Sequence, residues 1–257
     1  MAKIICIANQ KGGVGKTTTS VNLAASLAVA ERRTLLVDMD PQGNAGSGVG
    51  IDKDALEESV YDALINDADP VGLVLKTELP FLDLLPSTSD LAGAELELVT
   101  VSGREQKLKK VLAVLADSYD YVLIDCPPSL NLLTINAMTA AGSVLIPLQC
   151  EFYAMEGLSQ ILKTIGLIQK GLNSALKIEG ILLTMFDARN NLSHQVSEEI
   201  RSHFKEQTFA TVIPRNVRLS EAPSHGKPIM LYDITSKGAV SYMELAKEII
   251  AREVHHG

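Results

Sequence analysis

Short apolar runs separated by longer stretches of helical periodicity recur along the whole chain. Ile4–Ala8, Leu35–Asp38, Leu82–Leu85, Tyr121–Asp125, Ser143–Leu148 and Gly180–Met185 are brief and apolar almost without interruption, the pattern of parallel strands covered on both faces. Thr211–Pro214 is a candidate for one more. Between these runs, helical spacing predicts helices over Lys16–Ala30, Leu56–Asn66, Arg104–Asp117, Leu132–Ala141, Gly157–Lys170, Ser193–Lys205 and Gly238–Arg252. Strands alternating with helices predict a doubly wound α/β fold: a mostly parallel β-sheet with helices on both faces and right-handed crossovers. Ligands in such sheets sit beyond the carboxyl ends of the strands. No repeat, low-complexity stretch or linker interrupts residues 1–257, so a single domain is expected.

Composition narrows the function classes. Apolar residues make up 46% and charged residues 21%, which excludes disorder as the main state. Aromatics are only 4%, with no Trp, too few for a binder of single strands built on base stacking. The net charge of −8 argues against a surface basic all over. Its distribution is uneven: residues 1–180 hold 14 basic and 22 acidic side chains, whereas residues 181–257 hold 9 of each and all five His. A local basic face therefore has room in the last third of the chain. Cys6, Cys126 and Cys150 are far apart and form no CxxC, so neither a disulfide framework nor a zinc site is expected. No signal-peptide pattern and no run of 18 apolar residues is present, and a cytoplasmic protein is expected.

The sharpest chemical signal follows the first strand, at Asn9-Gln10-Lys11-Gly12-Gly13-Val14-Gly15-Lys16-Thr17-Thr18. Glycines let backbone N–H groups approach phosphate oxygens, and the helix that follows points its positive end at them. Lys16 supplies a charge between the β- and γ-phosphates, and the Thr17 hydroxyl takes a place on Mg²⁺. The loop departs from the standard P-loop pattern: Gln10 stands where the first glycine belongs, and Lys11 follows it. A second lysine this close to the phosphates suggests extra charge for a transition state, across a dimer interface. Asp38, Asp40 and Asp125 lie at strand ends. One such aspartate is ordinarily a turn former; three beside a glycine loop point to metal and water positioning.

These residues resemble the ParA/Soj chromosome-partitioning ATPases, deviant Walker P-loop proteins whose group also holds MinD. The likeness rests on KGGVGKTTT from Lys11, DMDPQGN from Asp38 and DCPPS from Asp125. It continues through Gln149–Glu151, Leu183–Arg189 and Val212–Pro223, so it spans essentially the whole chain. It implies that Lys11 reaches the phosphates of a partner subunit, and that Gly12, Gly13, Gly15, Lys16, Thr17 and Thr18 cradle ATP. Thr17 would bind Mg²⁺ directly, with Asp125 in its outer shell, while Asp40 orients the attacking water and Pro214 and Asn216 border the adenine. Gly12 would lie at the interface of an ATP-bound homodimer. That dimer would bind double-stranded DNA without sequence preference, associate with the nucleoid and answer to a ParB/Spo0J-type centromere-binding protein. Arg189 and Arg218 match DNA-contacting arginines of the family, and Lys227 and Lys247 are further candidates.

Two rivals are weighed. A MinD-like membrane cycle needs a basic amphipathic C-terminal helix. The segment Ser241–Gly257 carries Glu244, Glu248 and Glu253 and ends in His255-His256-Gly257, so docking on the core is expected and no membrane partner. A redox member of the group would need cysteines at cluster spacing, which this chain lacks.

Overall fold

The structure is a computed structural model that describes residues 2–254. The closing His255-His256-Gly257 lies outside them.

Eight strands form one sheet: β1 (Lys3–Ile7), β2 (Thr34–Asp38), β3 (Leu75–Lys76), β4 (Leu82–Leu85), β5 (Tyr121–Asp125), β6 (Ser143–Gln149), β7 (Lys177–Phe186) and β8 (Thr208–Pro214). The helices are α1 (Lys16–Val29), α2 (Asn44–Gly48), α3 (Val60–Ile65), α4 (Pro70–Leu73), α5 (Leu91–Glu97), α6 (Lys107–Leu115), α7 (Leu132–Ala140), α8 (Ala154–Gly171), α9 (Asn191–His203), α10 (Val217–Glu221), α11 (Ile229–Tyr232) and α12 (Lys237–Val254). The strand order is β3-β4-β2-β5-β1-β6-β7-β8, parallel throughout except for the β3–β4 edge pair.

The expected layering follows from side-chain alternation. Along β1, Ile5 and Ile7 face one core and Cys6 and Ala8 the other. The first core takes α1, α2 and α12, with Leu23, Leu27, Ala45, Leu245 and Ile249 buried against Leu36, Leu123 and Leu182. The second takes α3 and α5 to α9 against Val37, Ile124 and Ile146. Burying a Leu or Ile side chain contributes about 1.5–3 kcal/mol, and both faces of every central strand supply such residues. The central strand β1 has β5 on one side and β6 on the other. The loop after β1 therefore opens where the strand order reverses, the expected place for a ligand.

Several boundaries differ from the periodicity. The pattern over Leu56–Asn66 becomes helical only at Val60, because Ser59 and Asp62 close a capping box there. Over Arg104–Asp117 the α-helix is confined to Lys107–Leu115, with 3₁₀ turns at each end. Strand β8 starts at Thr208, ahead of the apolar pattern. The edge strand β3 and the short helices α2, α5, α10 and α11 give no periodic signal at all. In α12, Tyr242, Leu245, Ala246 and Ile249 are buried, so its apolar side docks on the sheet.

Candidate functional site

The glycine loop is shaped by backbone conformation before any ligand enters. Gly13 (φ 74°) and Gly15 (φ 88°) occupy the left-handed region, where a Cβ is strained. Gly12 has no such need: a Cβ there would meet only Pro128 Cβ, at 3.8 Å. Among the described residues nothing asks for glycine at position 12.

Side chains anchor the loop on both sides. Asn9 Nδ2 donates to the Pro147 carbonyl at 2.8 Å, and Asn9 Oδ1 accepts the Lys11 N–H at 3.0 Å. Across the loop, Thr184 on β7 donates its hydroxyl to the Val14 carbonyl at 2.8 Å. The first turn of α1 then leaves its N–H groups facing the loop, the arrangement that binds phosphate oxygens.

The two lysines diverge. Lys16 is only 6% exposed, and its ammonium donates to the Lys11 carbonyl at 3.1 Å, across its own loop. Burial lowers its pKa, against the upward pull of Asp125 and Asp40. Lys11 is exposed, and its ammonium donates to Glu151 Oε2 at 3.0 Å. Its partner lies outside the loop, and both side chains are open to solvent.

Asp125, at the end of β5, is fully buried. Its Oδ2 accepts the Thr17 hydroxyl at 2.7 Å, and its Oδ1 accepts the Ser20 hydroxyl at 2.7 Å. Burial raises its pKa, and the Ser20 and Thr17 hydroxyls oppose that shift. A divalent cation would relieve the desolvation cost of this carboxylate, and the Thr17 oxygen beside it is a suitable hard ligand. Ser20 was not singled out from sequence, although it stands three residues after Thr17 and so on the same helix face.

Asp38, the first of the three strand-end aspartates, is held by the backbone of the turn that follows it. It pairs in register with Asp125 across β2 and β5. Its Oδ1 accepts the Asp40 N–H at 3.0 Å, and its Oδ2 accepts those of Ala45 and Gly46 at 3.0 and 3.3 Å. It shapes the turn that leads into α2. Burial, and Asp125 after it, push its pKa up against these N–H donors. Asp40 lies in that turn, 8% exposed, with Oδ1 accepting the Gln42 N–H at 3.0 Å.

Beside the loop is a cavity of 470 Å³, lined by Gly15, Thr18, Met185, Pro214, Asn216 and Tyr242 among others. Its size and mixed lining suit a planar heterocycle with a sugar. Pro214 and Asn216, the residues expected to border the adenine, both line this cavity. Asn216 also caps α10, its Oδ1 accepting the Arg218 N–H at 2.8 Å.

The four candidate DNA residues do not converge equally. Arg189, in the turn after β7, and Arg218, in α10 after β8, share the carboxyl end of the sheet with the loop; Phe186 pairs with Pro214 between them. Lys227 follows a 3₁₀ turn at the same end and has no ion pair among the described residues. Lys247 lies further down: α12 runs from Tyr242, at the cavity, to Arg252, which bonds the Glu179 carbonyl near the start of β7. Three of the four carry acidic partners. Arg189 is forked onto Asp187 (3.0 and 3.1 Å), Arg218 reaches Glu221 (2.9 Å) and Asp233 (3.4 Å), and Lys247 reaches Glu244 (2.7 Å).

The three cysteines are buried free thiols, Cys6 and Cys126 with Sγ atoms 3.2 Å apart. Among the described residues no cluster of His, Cys, Asp and Glu has the makings of a metal centre, and no helix is long and apolar enough to cross a membrane.

Comparison with known proteins decides the family. A family model described as an AAA domain matches residues 2–178. The chromosome partitioning protein ParA of Myxococcus xanthus is 62% identical over 253 residues, 98% of this chain and 89% of that protein. The sporulation initiation inhibitor protein Soj of Bacillus subtilis is 61% identical over 251 residues, 98% of this chain and 99% of that protein.

The chain belongs to the ParA/Soj family of chromosome-partitioning ATPases.

Solved structures agree on the ParA/Soj architecture. The cobyrinic acid a,c-diamide synthase of Mycobacterium smegmatis, solved with ADP and magnesium, matches with a TM-score of 0.88 and 39% identity over 100% of this chain and 97% of that one. The cell division ATPase MinD of Pyrococcus furiosus matches with a TM-score of 0.81 and 28% identity over 98% and 100%.

Proposed function

We propose that this ParA/Soj-family chain is an ATP-dependent dimerising switch. With ATP and Mg²⁺ it pairs with a second copy, binds duplex DNA without sequence preference, and hydrolyses ATP in response to a ParB-type partner. The observation that carries this reading is the divergence of the two loop lysines. Lys16 turns into its own loop, whereas Lys11 turns outward beside Gly12, a glycine its own fold does not require. An outward cation and a bare backbone are what a second subunit's triphosphate needs if it is to be contacted across an interface.

In this reading Gly13, Gly15, Lys16, Thr17 and Thr18 hold the phosphates, and Pro214 and Asn216 border the base. Thr17 would ligate Mg²⁺, with Asp125 behind it; the ion's chemistry is to neutralise charge on the β- and γ-phosphate oxygens. Asp40, a buried carboxylate in the turn after β2, orients the attacking water. Lys11 from the second subunit adds transition-state charge, an effect of about 10³–10⁵ in rate for trans-acting arginines in related enzymes. Hydrolysis then removes the group that joins the subunits.

Arg189 and Arg218 would face DNA, with Lys227 as a third cation. One such patch is weak; two held together gain by effective concentration. The buried apolar side of α12 favours a nucleic-acid surface over a lipid one for this cycle. Light scattering with a non-hydrolysable ATP analogue and Mg²⁺ tests the core of the proposal. A doubling of mass is expected, together with retention of two unrelated duplexes at equal strength that weakens steeply with salt. A protein that stays monomeric under these conditions refutes it.

A further inference from the structure

The turn that carries Asp40 is gripped from the solvent side by a residue outside every motif. Lys53 lies in the acidic stretch after α2, and its ammonium donates to the Gln42 carbonyl at 2.7 Å. The Gln42 N–H holds Asp40 Oδ1 at 3.0 Å, and the Gly43 N–H bonds the Asp40 carbonyl at 3.0 Å. The lysine stem lies along the same turn. Gly43 is left-handed (φ 64°), and a Cβ there would come within 3.2 Å of Lys53 Cδ and 3.1 Å of the Ser87 carbonyl. Glycine at 43 therefore serves both the turn and the passage of Lys53 across it.

The bland alternative is a solvated surface lysine. Asp52, Asp54, Glu57 and Glu58 surround Lys53 in sequence, and a freely solvated ammonium would pair with one of them. Among the described residues it forms no ion pair, and it takes a neutral carbonyl instead. The turn is thus fixed twice. Asp38 holds it from the core through the Asp40 N–H, and Lys53 holds it from outside. The inner grip is buried; the outer one is a single exposed hydrogen bond.

We propose that Lys53 is a positioning residue for ATP hydrolysis: by pinning the Gln42–Gly43 peptide it keeps the Asp40 carboxylate in the orientation that meets the attacking water. This rests on the reading of Asp40 as the residue that orients that water.

The test compares Lys53→Met, which keeps the stem and removes the ammonium, with Lys53→Arg and Asp40→Ala. Turnover and KM for ATP are measured with Mg²⁺ and duplex DNA, beside melting temperature and analogue-dependent dimerisation. Lys53→Met is expected to lower kcat about three- to tenfold while KM, dimerisation and melting temperature stay put, and Lys53→Arg to restore kcat. If Asp40→Ala is inactive and Lys53→Met turns over like the parent, the positioning role is wrong. A Lys53→Met protein whose KM rises or whose dimerisation weakens as kcat falls assigns Lys53 to structure alone and equally overturns it. Normal turnover by Asp40→Ala removes the reading of Asp40 itself, a failure distinguishable from the other two.

Discussion

The phosphate end and the arginine face stand side by side at the carboxyl edge of the sheet, yet they are built on opposite principles. Around the loop, Lys16, Ser20, Asp38 and Asp125 are buried and bonded at 2.7–3.3 Å to partners in their own chain. On the arginine face, the Arg189 side chain is 89% exposed and the Arg218 side chain 54%, and each meets a carboxylate at the surface. Preorganised groups in a dry site act strongly on the one ligand they fit. Exposed, internally compensated charges act weakly, and need a second copy to matter. On the function proposed above, the first region would decide whether the switch is on, and the second only how tightly that form would hold DNA.

Removing a buried charge should do the most damage. Lys16→Ala leaves the loop without its inward cation and leaves Asp125 without the cation that opposes its desolvation. A ligand present at a hundred times its Kd stabilises a protein by about 2.7 kcal/mol. In Lys16→Ala that gain should vanish, read as a lost rise in melting temperature when ATP and Mg²⁺ are added. A full rise would place the phosphates elsewhere.

Gly12→Val divides the buried end itself. Position 12 has room for a Cβ and no positive φ, so the variant should fold and keep the ATP-induced rise in melting temperature. Its dimerisation with a non-hydrolysable analogue should be lost. A variant that dimerises would show that the two subunits meet elsewhere.

Arg218→Glu moves to the arginine face. It should leave nucleotide binding and dimerisation intact and weaken ATP-dependent DNA binding by at least about tenfold, measured by fluorescence anisotropy at fixed salt. Because Asn216 both borders the base cavity and caps the helix that carries Arg218, nucleotide affinity must be measured on the same sample. An unchanged DNA titration removes Arg218 from the surface.

What was legible in the sequence follows the same division. The loop was readable because its residues are contiguous and each is constrained by local backbone: Gly13 and Gly15 by φ, Thr17 by its place at the start of α1. Asp125 was readable from four apolar residues before it. The backbone partners of Asp38 were not readable, because two of its three N–H donors belong to α2, a five-residue helix with two glycines and no periodicity. Ser20 carried a signal, the i,i+3 spacing to Thr17. Lys53 carried none, since its contact depends on how the chain returns over Gly43. On the arginine face the spacings were in plain sight: Asp187 two before Arg189, Glu221 three after Arg218, Glu244 three before Lys247. Asp233 was not, because only the fold brings α11 and α10 together.

Those acidic partners give the smallest expected effect and the finest test of the comparison. Asp187 takes both Arg189 nitrogens, and the Arg189 side chain holds its carboxyl at a pKa of about 2, so it stays charged wherever the protein folds. A DNA phosphate approaching Arg189 must displace that carboxylate and then lie beside it. Exposed ion pairs of this kind are weak, so Asp187→Asn should strengthen DNA binding by only about two- to fivefold. The amide oxygen of this variant would still accept the Arg189 backbone N–H, so the turn is preserved while the competing charge is removed. Nucleotide affinity and dimerisation should not change, because the Asp187 carboxylate bonds Arg189 and none of the glycine-loop residues that would set them. Weaker DNA binding in Asp187→Asn would mean that the carboxylate holds Arg189 ready for the phosphate rather than restraining it. The arginine face would then be preorganised like the loop, and the contrast between the two regions would fall.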